Sequence, residues 1–208
     1  MNKEEYKFWD RVAGSAKAET GANSALMKYL NSKLKACIMP GNTVLDFGCG
    51  TGIITLLIAR IAKKVYGVDV SQSMLKRARQ NSEEQKANNV AFIKITKLNE
   101  TFPPDSFQVV TIFNVLQYVE DRQALFGQFY KLLQPQGTLI MASPCFGDMS
   151  FVSALLVKCL RFLHILPEIY YFRTDEIEKE IADAGFTVLE SVNLSDFPER
   201  FIMAKKIV

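Results

Sequence analysis

Apolar and polar positions along this chain fall into blocks whose period switches between helix and strand. Leu26, Leu30 and Leu34 recur every four residues and predict a helix over 23–37, ended by Pro40-Gly41. Val44, Leu45, Asp46 and Phe47 then run into Gly48, Gly50 and Gly52 at alternate positions, followed by the apolar run 53–60 with a helical stripe. That pattern reads as strand, tight glycine turn, helix. Residues 65–69 form a short strand ending in an acid, and Ser71 is a natural N-cap for the next helix, with Lys76, Arg77 and Arg79 on its wet side. Residues 90–95 alternate as a strand. Residues 108–113 are near-continuously apolar, as expected of a strand covered on both faces. Leu125, Phe129, Leu132 and Leu133 share one face of a helix over 122–133, and a strand over 138–142 follows Pro135 and Gly137. Thr174 caps a last helix with acids in its first turn, ended at Gly185. Two strands, 186–192 and 200–207, then pair antiparallel across a short link.

Strands alternating with helices predict an α/β sandwich with helices on both faces of one sheet. Right-handed crossovers place the strands at 44–47 and 108–113 side by side, at a switch point. The length of 208 residues suits one well-packed domain over 1–208, with a helical segment at 1–40 and a lid-like insertion at 143–173. The net charge of +3 gives no argument for nucleic acid, and none is expected as a partner. There is no secretory signal, and no stretch reaches the roughly 18 uncharged apolar residues of a membrane span. Cys37, Cys49, Cys145 and Cys159 have no paired spacing, so they read as reduced thiols in a cytoplasmic protein without a metal site.

The glycine turn is where the chemistry concentrates. In an open α/β sheet, ligands bind where strand ends meet the following helices. Glycines there take positive φ and let a ligand approach closely. A dinucleotide fingerprint needs a third small residue at the position held by Ile53, so that fingerprint fails. Asp46, two residues before Gly48, would repel a pyrophosphate and suits a cationic ligand. S-adenosylmethionine carries an ammonium and a sulfonium and no phosphate.

The run 44–52 resembles motif I of the class I S-adenosylmethionine-dependent methyltransferases, V-L-D-x-G-C-G-T-G, and matches it throughout. Phe8-Trp9-Asp10-Arg11-Val12-Ala13 resembles the opening of small-molecule members, and Val68-Asp69-Val70-Ser71 with Met74 and Leu75 resembles the second motif. The stretches 102–107 and 133–139 are similar to the family's links before strands four and five. The resemblance is to small-molecule methyltransferases, including the quinone-biosynthesis type. It implies a Rossmann-like doubly wound, seven-stranded, mostly parallel sheet of order 3-2-1-4-5-7-6 with strand seven antiparallel. It implies S-adenosylmethionine as cofactor, S-adenosylhomocysteine as product and a small-molecule methyl acceptor.

The site residues it implies begin with Asp46, which positions the methionine end. Gly48, Cys49, Gly50 and Gly52 form the close backbone corner. Asp69, with Val70 beside it, takes the ribose hydroxyls. Met74 packs on the adenine or only fills the core. Where the family has an acid for the adenine amino group this chain has Thr96, and backbone N–H groups of Lys97 and Leu98 stand in. Asn114 touches cofactor or substrate, or bonds its own turn. Trp9 faces the sulfonium or anchors the N-terminal segment. Tyr118 replaces the family's usual histidine. No general base is assigned; Tyr118 and His164, the only histidine, are candidates, each also readable as packing or solvated surface.

For the apolar segment 151–166, with Lys158, Arg161 and His164 along one helical edge, three readings stay open. They are a lid packed on the domain, the lining of a pocket for a lipophilic acceptor, and a helix in peripheral contact with a membrane surface. Two rival functions also stay open: a non-catalytic S-adenosylmethionine-binding protein, motivated by Thr96, and a nicotinamide-dependent oxidoreductase, disfavoured by Ile53 and Asp46.

Overall fold

The computed structural model describes residues 8–9, 13, 25–95, 97–150, 153, 155–157, 159, 167–194 and 198–207. Thr96, Lys158, Arg161 and His164 lie outside the described residues. The helix expected at 23–37 is α1, Ala25–Cys37. Then come β1 (Thr43–Phe47), α2 (Ile53–Ala59), β2 (Lys64–Asp69), α3 (Gln72–Glu84), β3 (Val90–Lys94) and β4 (Phe107–Phe113). After a 3₁₀ turn at Leu116–Tyr118 the chain forms α4 (Arg122–Leu132), β5 (Leu133–Pro144), α5 (Thr174–Asp183), β6 (Phe186–Asn193) and β7 (Glu199–Lys206). All seven strands form one sheet in the order β3-β2-β1-β4-β5-β7-β6. The first five pair in parallel, and β7 runs antiparallel to both β5 and β6. Fold class and strand order agree with what the family resemblance implied.

Two cores sandwich the sheet. On one face Leu30 and Leu34 of α1, with Ile38 just after it, meet Ile58, Val44, Val109 and Phe201. On the other, Phe126 and Phe129 of α4 and Ile177 and Ile181 of α5 meet Leu45, Val110, Leu139 and Ile202. Central strands buried on both faces need apolar residues in succession, which is why β4 reads as a run rather than an alternation. Two local expectations shift. Leu133 belongs to β5, not to the helix before it, and is fully buried against α4's own side of the sheet. Thr174 opens α5 rather than capping it. The Arg173 N–H instead donates to Glu176 Oε2 (2.8 Å), and the Thr174 hydroxyl donates to Asp148 Oδ2 (2.7 Å). Among the described residues no helix is long and apolar enough to cross a membrane.

Candidate cofactor site

The chain leaves β1 through Gly48 and folds back over the end of β2. The N–H groups of Gly48 and Cys49 both donate to Val68 O, at 2.8 and 3.0 Å. Gly48 has φ +70°, and a Cβ there would stand 2.3 Å from Val115 Cγ2, so only glycine passes. Gly50 has φ +53° and open space above it, and its N–H donates to Asp69 Oδ2 at 2.9 Å. The backbone here is therefore bare and facing outward, held from below by β2.

Two carboxylates support this corner in different ways. Asp46 is 2% exposed and lies beneath the turn. Thr55 of α2 donates to its Oδ2 at 2.6 Å, and Thr111 of β4 to its Oδ1 at 2.8 Å. Burial raises its pKa from 3.8 to about 6; the two hydroxyls pull it down and the charge of Asp69 adds to the rise. Asp69 ends β2. Its Oδ1 accepts the Ser71 N–H (2.8 Å) and its Oδ2 the Gly50 N–H, so it pins the glycine corner to the start of α3. Burial raises its pKa, and these backbone donors oppose the rise.

Above the corner lies a cavity of about 420 Å³, at the ends of the paired strands β1 and β4. Phe47, Gly48 and Gly50 enter it from β1, and Val68, Asp69 and Val70 from β2. Met74 of α3 and Ile95 after β3 add apolar wall, and Asn114, Val115, Tyr118, Val119 and Glu120 come from the turn after β4. Trp9 reaches in from the N-terminal segment, its ring edge-on to Tyr118 at 5.0 Å. The described lining holds two carboxylates, Asp69 and Glu120, and no lysine or arginine. The volume is that of a small-molecule site. The charge suits a cation and opposes a diphosphate. The Asp69 carboxylate keeps acceptor capacity beyond its backbone bonds, and the apolar wall suits a flat heterocycle. The residues present fit S-adenosylmethionine.

Of the residues singled out in the sequence, Trp9, Gly48, Gly50, Asp69, Val70, Met74, Asn114 and Tyr118 share this cavity. Asp46, Cys49, Gly52, Lys97 and Leu98 lie off its wall. Asp46 is one layer below. Cys49 turns its sulfur toward Gly67, and burial pushes its thiol up. Gly52 packs against Phe92 and Ala78. Lys97 pairs with Glu100 at the surface (2.8 Å), and Leu98 is buried in the core. Burial also raises the Tyr118 phenol, which keeps it protonated at neutral pH. Sequence reasoning missed Thr55 and Thr111, although each is the lone hydroxyl in an otherwise buried apolar run, a pattern that signals a buried partner. It also missed Val115, Val119 and Glu120, which carry no chemical signature of their own.

Residues 38–191, well over half of the chain, match the family model described as methyltransferase domain. The chain is 30% identical over 165 residues to the ubiquinone biosynthesis O-methyltransferase of Neisseria meningitidis, covering 78% of this chain and 67% of that protein. It is 28% identical over 137 residues to the protein of that name from Xanthomonas campestris, 66% of this chain and 56% of that one. The chain thus spans between about half and two thirds of the length of these relatives. Among solved structures it resembles the S-adenosylmethionine-dependent methyltransferase of Mesorhizobium loti, with a TM-score of 0.71, 19% identity, and 89% and 100% of the two chains covered. It also resembles the geranyl diphosphate C-methyltransferase of Streptomyces coelicolor, at 0.70 and 15%, with 88% and 77% covered. At these identities the structures speak for the fold alone. Sheet order, acidic glycine corner and family model agree: the chain belongs to the methyltransferase domain family, the class I S-adenosylmethionine-dependent methyltransferases.

Proposed function

We propose that the protein transfers a methyl group from S-adenosylmethionine to a small lipophilic acceptor. The observation that carries this reading is the cavity over an open glycine corner at the switch point, whose described lining is acidic and holds no lysine or arginine. Bound there, the cofactor supplies a methyl group on a sulfonium, already activated for attack. Asp69 accepts the ribose hydroxyls with the lone pairs its backbone bonds leave free. The buried charge of Asp46 lies under the corner and attracts the ammonium without touching it. Met74, Val70 and Ile95 form the apolar wall against the base. Asn114, Tyr118 and Trp9 line the side from which an acceptor arrives. Holding two reactants in line is worth about 7–11 kcal/mol, so the chain needs no strong base for much of its effect. For the acceptor class, support comes from the quinone-biosynthesis relatives and from Leu155 and Leu156, whose side chains are exposed in the 151–166 segment.

Trp9 is the only tryptophan, so its fluorescence reports on the cavity. Titration with S-adenosylhomocysteine should change that emission and give a calorimetric Kd in the micromolar range, while NADH should do neither. Incubation with labelled S-adenosylmethionine and a panel of lipophilic phenols and quinols should move label into the organic phase. Binding without transfer across the panel would favour a non-catalytic binding protein. NADH binding in place of the homocysteine nucleoside would overturn the proposal.

A further inference from the structure

One buried amide joins the cavity wall to the chain that frames 149–166. Gln117 is 4% exposed in the 3₁₀ turn beside Tyr118. Its Nε2 donates to the Asn114 carbonyl at 2.9 Å, and its Oε1 accepts from Ser143 Oγ at 2.9 Å. Its own carbonyl accepts the Tyr170 N–H at 2.8 Å. Each partner belongs to a different part of the molecule. Asn114 lines the cavity in a left-handed conformation, φ +56°, that few residue types adopt without support. Ser143 is the fully buried end of β5, and Tyr170 lies on the way into α5.

Beyond Ser143 and around Tyr170 the two strands of chain are stitched together. The Gly147 N–H donates to Phe172 O at 2.8 Å, so close that a Cβ on Gly147 would sit 2.8 Å from that carbonyl. Thr174 N–H and Oγ1 both donate to Asp148 Oδ2, at 2.9 and 2.7 Å. Residues 145–148 and 170–174 are thus held together as one base. The Gln117 side chain ties the Asn114 carbonyl to Ser143, two residues before this base, and its main-chain carbonyl holds Tyr170 within it. A buried amide satisfied at both ends is stiff, and an apolar replacement leaves a buried carbonyl and a hydroxyl without partners.

We infer that Gln117 is a positioning residue that couples the cofactor cavity, through Asn114, to the paired stretches 145–148 and 170–174. This rests on the methyltransferase reading of the cavity. Coupling of this kind is a difference between two binding states, so it is measured as one. The experiment is hydrogen exchange at the Tyr170 amide, with and without S-adenosylhomocysteine, in wild type and in Gln117→Met. In wild type the ligand should slow that exchange at least about tenfold. In Gln117→Met the ligand should still bind within about fivefold, and the slowing should fall below about threefold.

Gln117→Glu adds a pH profile that a merely structural side chain would not show. Protonated, the carboxyl still donates to Asn114 and accepts from Ser143; ionised, it has no donor for Asn114. The ratio of exchange with and without ligand should therefore approach wild type at low pH and vanish as pH rises. Should Gln117→Met prove too unstable, Ser143→Ala, which removes one hydroxyl, makes the same comparison at smaller amplitude. Undiminished slowing in a Gln117 variant that binds the ligand overturns the inference. So does a wild type that binds the ligand without any slowing, which leaves the cofactor reading intact. A wild type that does not bind it overturns both.

Discussion

Replacing Asp46 by Asn separates the demands of folding from those of the ligand. The carboxyl is 2% exposed and faces Thr55 from α2, Thr111 from β4, Asp69 from β2 and the Cys49 thiol. Its pKa in the fold is about 6 against 3.8 ordinarily. The group is an acid whose pKa is raised, so the fold binds its proton more tightly than the unfolded chain does. Stability then falls as pH rises from about 4 to about 6, and the loss persists above that window. At about 1.4 kcal/mol per pH unit, the full effect is about 3 kcal/mol.

Asn keeps the shape, and a threonine hydroxyl can turn to accept from its amide. The variant carries no charge to desolvate. Urea unfolding of the ligand-free protein should therefore show Asp46→Asn gaining on wild type by about 3 kcal/mol between pH 4 and pH 8. In a chain of this size that is a relative rise in Tm of about 6–12 °C. Removing the charge also relieves Asp69, so the difference belongs to the pair. Binding should move the other way. The ammonium of the ligand favours ionised Asp46, so at pH 7.5 the variant should bind S-adenosylhomocysteine more weakly. A stability difference that does not change with pH would refute the burial argument. A variant that binds the ligand as tightly as wild type would refute the electrostatic role.

Three further outcomes follow from the same geometry. Asp69→Ala removes the acceptor for the Gly50 and Ser71 N–H groups as well as the ribose partner; calorimetry should show at least tenfold weaker S-adenosylhomocysteine binding, about 1.4 kcal/mol, and unchanged affinity would remove the role. Gly48→Ala forces a side chain into positive φ and onto Val115, so denaturant unfolding should show a loss of about 1–3 kcal/mol, partly recovered by adding Val115→Ala. Phe129 is fully buried, edge-on to Phe47 at 5.3 Å. Phe129→Ala should lower stability by about 3–5 kcal/mol and loosen the Phe47 wall of the cavity, seen as weaker ligand binding after correction for the unfolded fraction.

The resemblance anchored on 44–52 located the corner, and periodicity alone located nearly every strand and helix, because both depend on residues adjacent in the chain. Gly48, Gly50 and Asp69 are legible for that reason: a turn with positive φ and an acid at a strand tip are local demands. Strand boundaries slipped where tertiary burial overrides local period, as at Leu133. The roles of Thr55, Thr111 and Gln117 were invisible for a different reason. Each is a polar residue whose partner lies on another element; for the two threonines that partner is Asp46, 9 and 65 positions away.

What the sequence by itself determined is the order of elements, the glycine corner and the acids at the strand tips, since backbone preference and apolar period act over a few residues. What only the tertiary structure decided is depth. It put Asp46 beneath the cavity and Asp69 on its wall, and it turned Gln117 inward to bind three segments. Depth is set by which elements stack over a residue. It fixes whether a carboxylate meets a ligand or acts on it through the protein.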